Sequence, residues 1–122
     1  MNKEKKFLFA MTHFDDDPDR AAVPLVLACN ALAGGAEDVI LWTTAQGVNI
    51  AKKGAAAKVP SISFPPLAEL LESFIEAGGQ VGVCPPCAKT HGVTEDNKIE
   101  GATWIGGSAL IEVMQDRETA WF

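Results

Sequence analysis

The sequence predicts an α/β fold: a mostly parallel sheet with helices on both of its faces. Two observations lead there. Short apolar runs alternate with longer stretches of helical spacing, and no two successive runs are joined by a tight hairpin turn. A run such as Val39-Ile40-Leu41-Trp42 is also apolar on both sides, as a strand covered on both faces should be. With 122 residues and 48% apolar composition, the chain suits one domain over residues 1–122, with a core that needs no disulfide staples.

The elements follow in order. Lys6 to Thr12 is apolar without helical spacing and reads as the first strand. His13-Phe14-Asp15-Asp16-Asp17 is a loop, in which Asp17 or Asp19 can cap a helix from Pro18 to Ala33, closed by Gly34-Gly35. That helix is apolar on nearly every face, so it is expected to be mostly buried against the sheet and against another layer or subunit, with a kink at Pro24. Cys29, inside it, reads as an inert buried thiol. Glu37 to Thr43 is the second strand. A short helix or turn runs through Ile50 to Lys53, and a low-complexity patch from Ala55 to Lys58 opens a loop to Pro66.

Leu67 to Ala77 is a helix with Leu67, Leu70, Leu71, Phe74 and Ile75 on one face and Glu69, Glu72 and Glu76 outside. Val81 to Val83 is the third strand, ended at once by Pro85-Pro86. A short helix can begin on those prolines, and Gly92 stops it. Thr94 is expected to cap a brief helical piece. Ala102 to Ile105 is a fourth strand, Ser108 the cap of a helix through Met114, and Thr119 to Phe122 the last strand.

Charge narrows the partners. A net charge of −6 and a pI near 4.8 argue against nucleic acid, which needs clustered Lys and Arg. Lys3, Lys5 and Lys6 read as a solvated start before a strand. The run Phe7 to Met11 is too short for a signal peptide, and no segment approaches the length a bilayer needs. A cytoplasmic setting is the expectation. There, three cysteines including a CxxC pair point to redox, sulfur-handling or metal chemistry rather than to structural disulfides.

The stretch Cys84-Pro85-Pro86-Cys87-Ala88-Lys89-Thr90-His91 concentrates that chemistry. Cys84 falls where a strand leaves the sheet and Cys87 in the first helical turn, at the carboxyl ends of the strands where ligands gather in such folds. Three readings stay open on the residues alone. A metal site would use both cysteines with His91, but it lacks a fourth ligand and a second knuckle. A thiol–disulfide couple would use Cys84 and Cys87, although the strand and helix order is not that of thioredoxin. A nucleophilic thiol carrying sulfur as a persulfide needs an accessible thiolate on a rigid support.

The segment VGVCPPCAKTHGVTEDNKIEGATWIGGSALIEVM, from Val81 to Met114, resembles the carboxyl half of the DsrE/DsrF-like sulfur-relay family. The strand ending in a cysteine, the short helix, the Gly-Val turn with acidic residues, the Ile-Glu-Gly step and the Gly-rich strand end carry the likeness. The helix Pro18 to Ala28, Gly47-Val48 and Ala51-Lys52-Lys53-Gly54 extend it to the amino half. The resemblance implies a three-layer α/β/α fold on a five-stranded, mostly parallel sheet and a homo-oligomer, trimer or hexamer. It also implies sulfur transfer between a donor and an acceptor protein through one cysteine, which Cys84 matches by position; Cys87 is not part of the shared pattern.

The resulting expectation is an intracellular sulfurtransferase passing sulfane sulfur on Cys84, with Cys87 assisting, His91 and His13 as possible neighbours, and neither metal nor cofactor. A thiol–disulfide redox protein and a non-catalytic oligomeric interaction subunit are the alternatives. The Asp15–Asp17 run reads as a solvated capping loop, Lys52 and Lys53 as an exposed charged turn, and Trp42, Trp104 and Trp121 as core or subunit-interface residues.

Overall fold

The computed structural model describes residues 5–122. Five strands form one sheet: β1 (Lys6–Met11), β2 (Asp38–Thr43), β3 (Gln80–Val83), β4 (Ala102–Trp104) and β5 (Glu118–Trp121). The order across the sheet is β4-β3-β2-β1-β5, and every adjacent pair is parallel. Four helices connect them: α1 (Pro18–Ala33), α2 (Leu67–Glu76), α3 (Pro85–His91) and α4 (Gly107–Met114). The expected α/β/α architecture is present, and the bounds of these strands and four helices move by only one or two residues from the sequence reading.

The layers follow from the strand order. From β1 to β4 each connection steps the same way across the sheet, so right-handed crossovers put α1, α2 and α3 on one face. The step from β4 to β5 runs back past three strands, which sends α4 to the other face. The core divides accordingly. Phe9, Met11, Val39, Leu41, Val81 and Val83 point toward α1 and α2, where they meet Ala21, Leu25, Ala28, Leu71 and Phe74. Leu8, Ala10, Ile40 and Trp42 point the other way, toward Ile105 and Leu110. Alternate residues of one strand thus serve two cores.

The two faces are unequally covered. On the α4 face only Leu110 of the helix is buried, while Ile111 is 60% exposed. Trp121 stands at the end of β5, edge-on to Trp42 at 5.6 Å, and is 53% exposed. Gly82 belongs to this face. A Cβ there would stand 2.7 Å from Ile105 Cδ1 and 3.0 Å from Trp42 Cδ1, so glycine is what lets these two side chains close over β3.

Some local expectations hold and others change. Asp17 does cap α1, accepting from the Arg20 N–H, and the helix runs on through a buried Pro24. Ser108 is no cap: α4 begins at Gly107, so Ser108 already lies in the first turn and Gly106 occupies the cap position without a side-chain bond. The piece after Thr94 is a turn rather than a helix. Thr94 N–H donates to Asn97 Oδ1 at 2.7 Å and Asn97 N–H to Thr94 Oγ1 at 3.2 Å, and these side chains satisfy donors that a helix would have engaged. The segment after β2 forms a 3-10 turn from Ala45 to Ala51, earlier and longer than its sequence suggested, and a second one spans Ala56–Lys58. Lys3 lies outside the described residues. Lys5 and Lys6 pair with Glu118 and Asp116 at 2.9 and 3.2 Å, joining β1 to the β5 end of the chain.

Candidate functional site

Cys84 is the first residue past β3. Its N–H still donates to Thr43 O of β2 at 3.0 Å, so the sheet fixes its backbone. Pro85 and Pro86 then fill the first positions of α3, where missing N–H groups leave no bond unmade. The carbonyl of Cys84 accepts from Ala88 N–H at 2.9 Å, which closes the first helical turn. At the other end Gly92 takes the left-handed conformation, φ 77°, and stops the helix as its sequence position predicts. Ala88 is buried in the core and anchors the helix. The result is a rigid support with the two thiols one helical turn apart.

Both are free and half-buried. Cys84 packs at the seam between the two cores. Cys87 faces the end of β2, where its Sγ lies 3.4 Å from Thr44 Oγ1. The surroundings of Cys87 hold its thiol below the ordinary range. The Thr44 hydroxyl is the main cause; slight burial works against it; the Ala45 N–H and the Cys84 thiol add to the lowering. The Thr44 hydroxyl thus lies against this sulfur, where its donated hydrogen bond favours the thiolate. Cys29 is the contrast: burial alone pushes its thiol up, and its Sγ donates to Leu70 O at 3.3 Å across the α1–α2 contact.

The residues that place this hydroxyl follow β2. Ala45 has φ 50°, the one non-glycine residue with positive φ among the described residues. Such a conformation is disfavoured for alanine and persists only where surrounding contacts impose it. Here Thr44 N–H is held by Met11 O at 3.0 Å, and Gly47 N–H by Thr44 O at 2.9 Å. Gly47 is buried against the backbone of Met11, with no room for a Cβ. The end of β1 and the tight turn after β2 thus impose the Ala45 conformation and hold Thr44 beside Cys87. The sequence ends the second strand at Thr43 and gives no sign that Thr44 serves the thiol. A lone threonine after a strand is too common a signal.

Neither histidine joins the pair by a hydrogen bond. His91 is one turn beyond Cys87, at the last position of α3. His13 is engaged in its own loop, where Nδ1 lies 2.7 Å from Asp16 Oδ2. Light burial tends to raise the Asp16 carboxyl, but the Phe14 N–H and His13 outweigh it and hold it low. With β2 between β1 and β3, His13 starts two strand spacings, about 10 Å, from the cysteines. Among the described residues no three His, Cys, Asp or Glu side chains are grouped to hold a metal ion, and no helix is long and apolar enough to cross a membrane.

A model of the DsrE/DsrF-like family matches residues 5–120. The chain belongs to the DsrE/DsrF-like family. Membership points to a role related to sulfur relay. Uncharacterized proteins of two archaea are similar in sequence. The one from Methanopyrus kandleri is 39% identical over 104 residues, covering 85% of this chain and 82% of its own. The one from Methanocaldococcus jannaschii is 39% identical over 113 residues, covering 93% and 95%. In structure the chain resembles the ychN protein from E. coli, with a TM-score of 0.78, 16% identity and coverage of 98% of this chain and 99% of the other. It also resembles a protein of unknown function from Methanobacterium thermoautotrophicum, with a TM-score of 0.75, 13% identity and coverage of 98% and 100%. At those identities the likeness concerns the fold of the DsrE/DsrF-like chain, not its chemistry.

Proposed function

We propose that this protein is an intracellular, cytoplasmic sulfur carrier that accepts sulfane sulfur on Cys84 as a persulfide and passes it to a partner protein's thiol. The observation that supports this best is the pair of free, half-buried thiols on a rigid strand-to-helix junction in a DsrE/DsrF-like chain. In the loading step Cys84 thiolate attacks the outer sulfur of a donor persulfide. A new S–S bond forms on Cys84, the donor's S–S bond breaks, and the donor leaves as a thiolate. In the unloading step an acceptor thiolate attacks the outer sulfur of the Cys84 persulfide, and Cys84 leaves as a thiolate. No net oxidation occurs, and no cofactor is required.

Cys87 assists in this scheme. It is the thiol whose ionised form its neighbours support, and it lies beside Cys84. Its thiolate can attack the outer sulfur of the Cys84 persulfide, the new S–S bond forming on Cys87 as Cys84 leaves as a thiolate, which makes Cys87 a second carrier. The same proximity favours a second reading, a thiol–disulfide redox protein cycling Cys84 and Cys87. Loading with a small polysulfide and then adding an acceptor thiol tests the carrier. A persulfide passed to the acceptor is expected. Recovery of only the intramolecular disulfide and free sulfide would favour the redox reading instead.

Assembly belongs to the same proposal. Trp121 and Ile111 leave an apolar area on the thinly covered α4 face, which suits burial in a homo-oligomer, a trimer or a hexamer. Light scattering on the purified chain should give a multiple of the 12.9 kDa protomer mass, and Trp121→Glu should lower it.

A further inference from the structure

We propose that the cleft between the β1–α1 loop and the turns following β2 docks an acidic, partly apolar segment of a partner protein. The inference rests on the carrier reading, since it supplies the surface on which a partner is held while thiols exchange.

Charge distribution is the first support. Residues 39–68 contain Lys52, Lys53 and Lys58 and no Asp or Glu, so this stretch is +3 while the rest of the chain is −9 of the formal −6. Folding keeps the three together. They line a cleft of about 340 Å³ with Asn49, Phe14 and Asp15, the last being its one carboxylate among the described lining residues. None of the three lysines forms an ion pair among the described residues. Lys53 Nζ donates to Asp96 O at 3.0 Å, which uses one of its protons. Within an acidic protein, an unneutralised cationic cleft selects its visitor by charge.

The cleft is also held in shape. Lys52 bridges to Lys98, Lys53 N–H donates to Asn97 O at 2.8 Å, and Ile99 N–H donates to Ala51 O at 2.7 Å. A fixed backbone lowers the ordering cost of binding. Beside the cleft the chain continues from Val59, which lines it, to Ile62, whose side chain is 86% exposed. Three residues span at most about 10 Å. An apolar residue that close to a lysine group fits a peptide with both acidic and apolar side chains. A small inorganic anion would gain nothing from it.

The position links the cleft to the thiols. Thr44, which contacts Cys87, and Asn49, which lines the cleft, flank and lie within one 3-10 turn. At about 2 Å rise per residue they are on the order of 10 Å apart. A segment seated on the lysines therefore brings its neighbouring residues to the Cys84–Cys87 pair.

The test uses a fluorescein-labelled synthetic peptide of alternating Glu and Leu, its Gln counterpart, and the full chain carrying Cys84→Ser, which excludes covalent capture. Fluorescence anisotropy should show binding of the acidic peptide alone, weakened about tenfold between low and physiological salt. Lys58→Glu should weaken it about tenfold and Ile62→Ser about threefold. Lys5→Glu makes the same charge change at the far end of β1 and should leave binding as it was. The proposal fails if the Gln peptide binds equally, if Lys5→Glu costs as much as Lys58→Glu, or if inorganic phosphate displaces the peptide as effectively as unlabelled peptide does. It fails equally if the acidic peptide does not bind. Because Cys84 is absent from the assay, intact peptide binding alongside failed sulfur loading of the parent chain would reject the carrier chemistry and keep the docking site.

Discussion

Replacing Thr44 by valine keeps the shape of the side chain and removes the hydroxyl that faces Cys87 at 3.4 Å. Backbone bonds at this position remain, because Thr44 N–H still reaches Met11 O. One hydrogen bond contributes about 0.5–1.5 kcal/mol, and 1.36 kcal/mol is one decade in a protonation equilibrium. The thiolate fraction of Cys87 at neutral pH should therefore fall roughly 2- to 12-fold. A more basic thiolate is also a better nucleophile, with a Brønsted slope of about 0.4–0.5. The net alkylation rate should then fall only about 1.5- to 4-fold at neutral pH. At high pH, where both proteins are fully ionised, the variant should be about 1.5- to 3-fold faster. Iodoacetamide labelling of Cys87 across pH, read by fragmenting the labelled peptide, gives both limbs. Crossing profiles, with Thr44→Ser close to the parent, support the assignment. Parallel profiles, or a variant slower at every pH, would refute it.

Other positions give independent checks. Gly47→Ala should lower stability by about 1–3 kcal/mol in urea unfolding, because its Cβ meets the Met11 backbone and overpacking costs that much; it should also disturb Cys87 reactivity by moving Ala45. Arg117 is buried to 8% side-chain exposure and meets Asp38 at 2.7 Å, so Asp38→Ala should cost about 1–3 kcal/mol by leaving a buried guanidinium less well paired. Burial raises Cys29, so the unfolded chain ionises that thiol first. Its contribution is intact below the ordinary thiol value and is lost as pH rises through the folded one. The alkaline fall in stability should accordingly shrink in Cys29→Ala. Cys87 has the opposite sign: its lowered thiol adds stability only above the ordinary value and loses it as pH falls through the folded one.

The strands were legible because each is an unbroken apolar run: Leu8 to Met11 and Val39 to Trp42 face a core on both sides. Prolines and glycines marked the limits of α3, since Pro85-Pro86 and Gly92 each do one backbone job. The place of Cys84 and Cys87 followed from those marks. What the sequence hid was made by contacts across the chain. The hydroxyl on Cys87 comes from a residue some forty positions earlier, held beside a turn whose strain at Ala45 no local pattern announces. The thin α4 layer was hidden for a related reason. Its residues are apolar enough to be read as buried, yet strand order leaves a single eight-residue helix to cover that face.

The most direct test of the account is the location of sulfane sulfur after the parent chain meets a polysulfide donor. Intact and peptide mass spectrometry should find one added sulfur atom on Cys84 in the parent and in Cys87→Ser, and none in Cys84→Ser. Equal sulfur uptake by Cys84→Ser, or uptake confined to Cys87, would contradict the assignment of the carrier to Cys84.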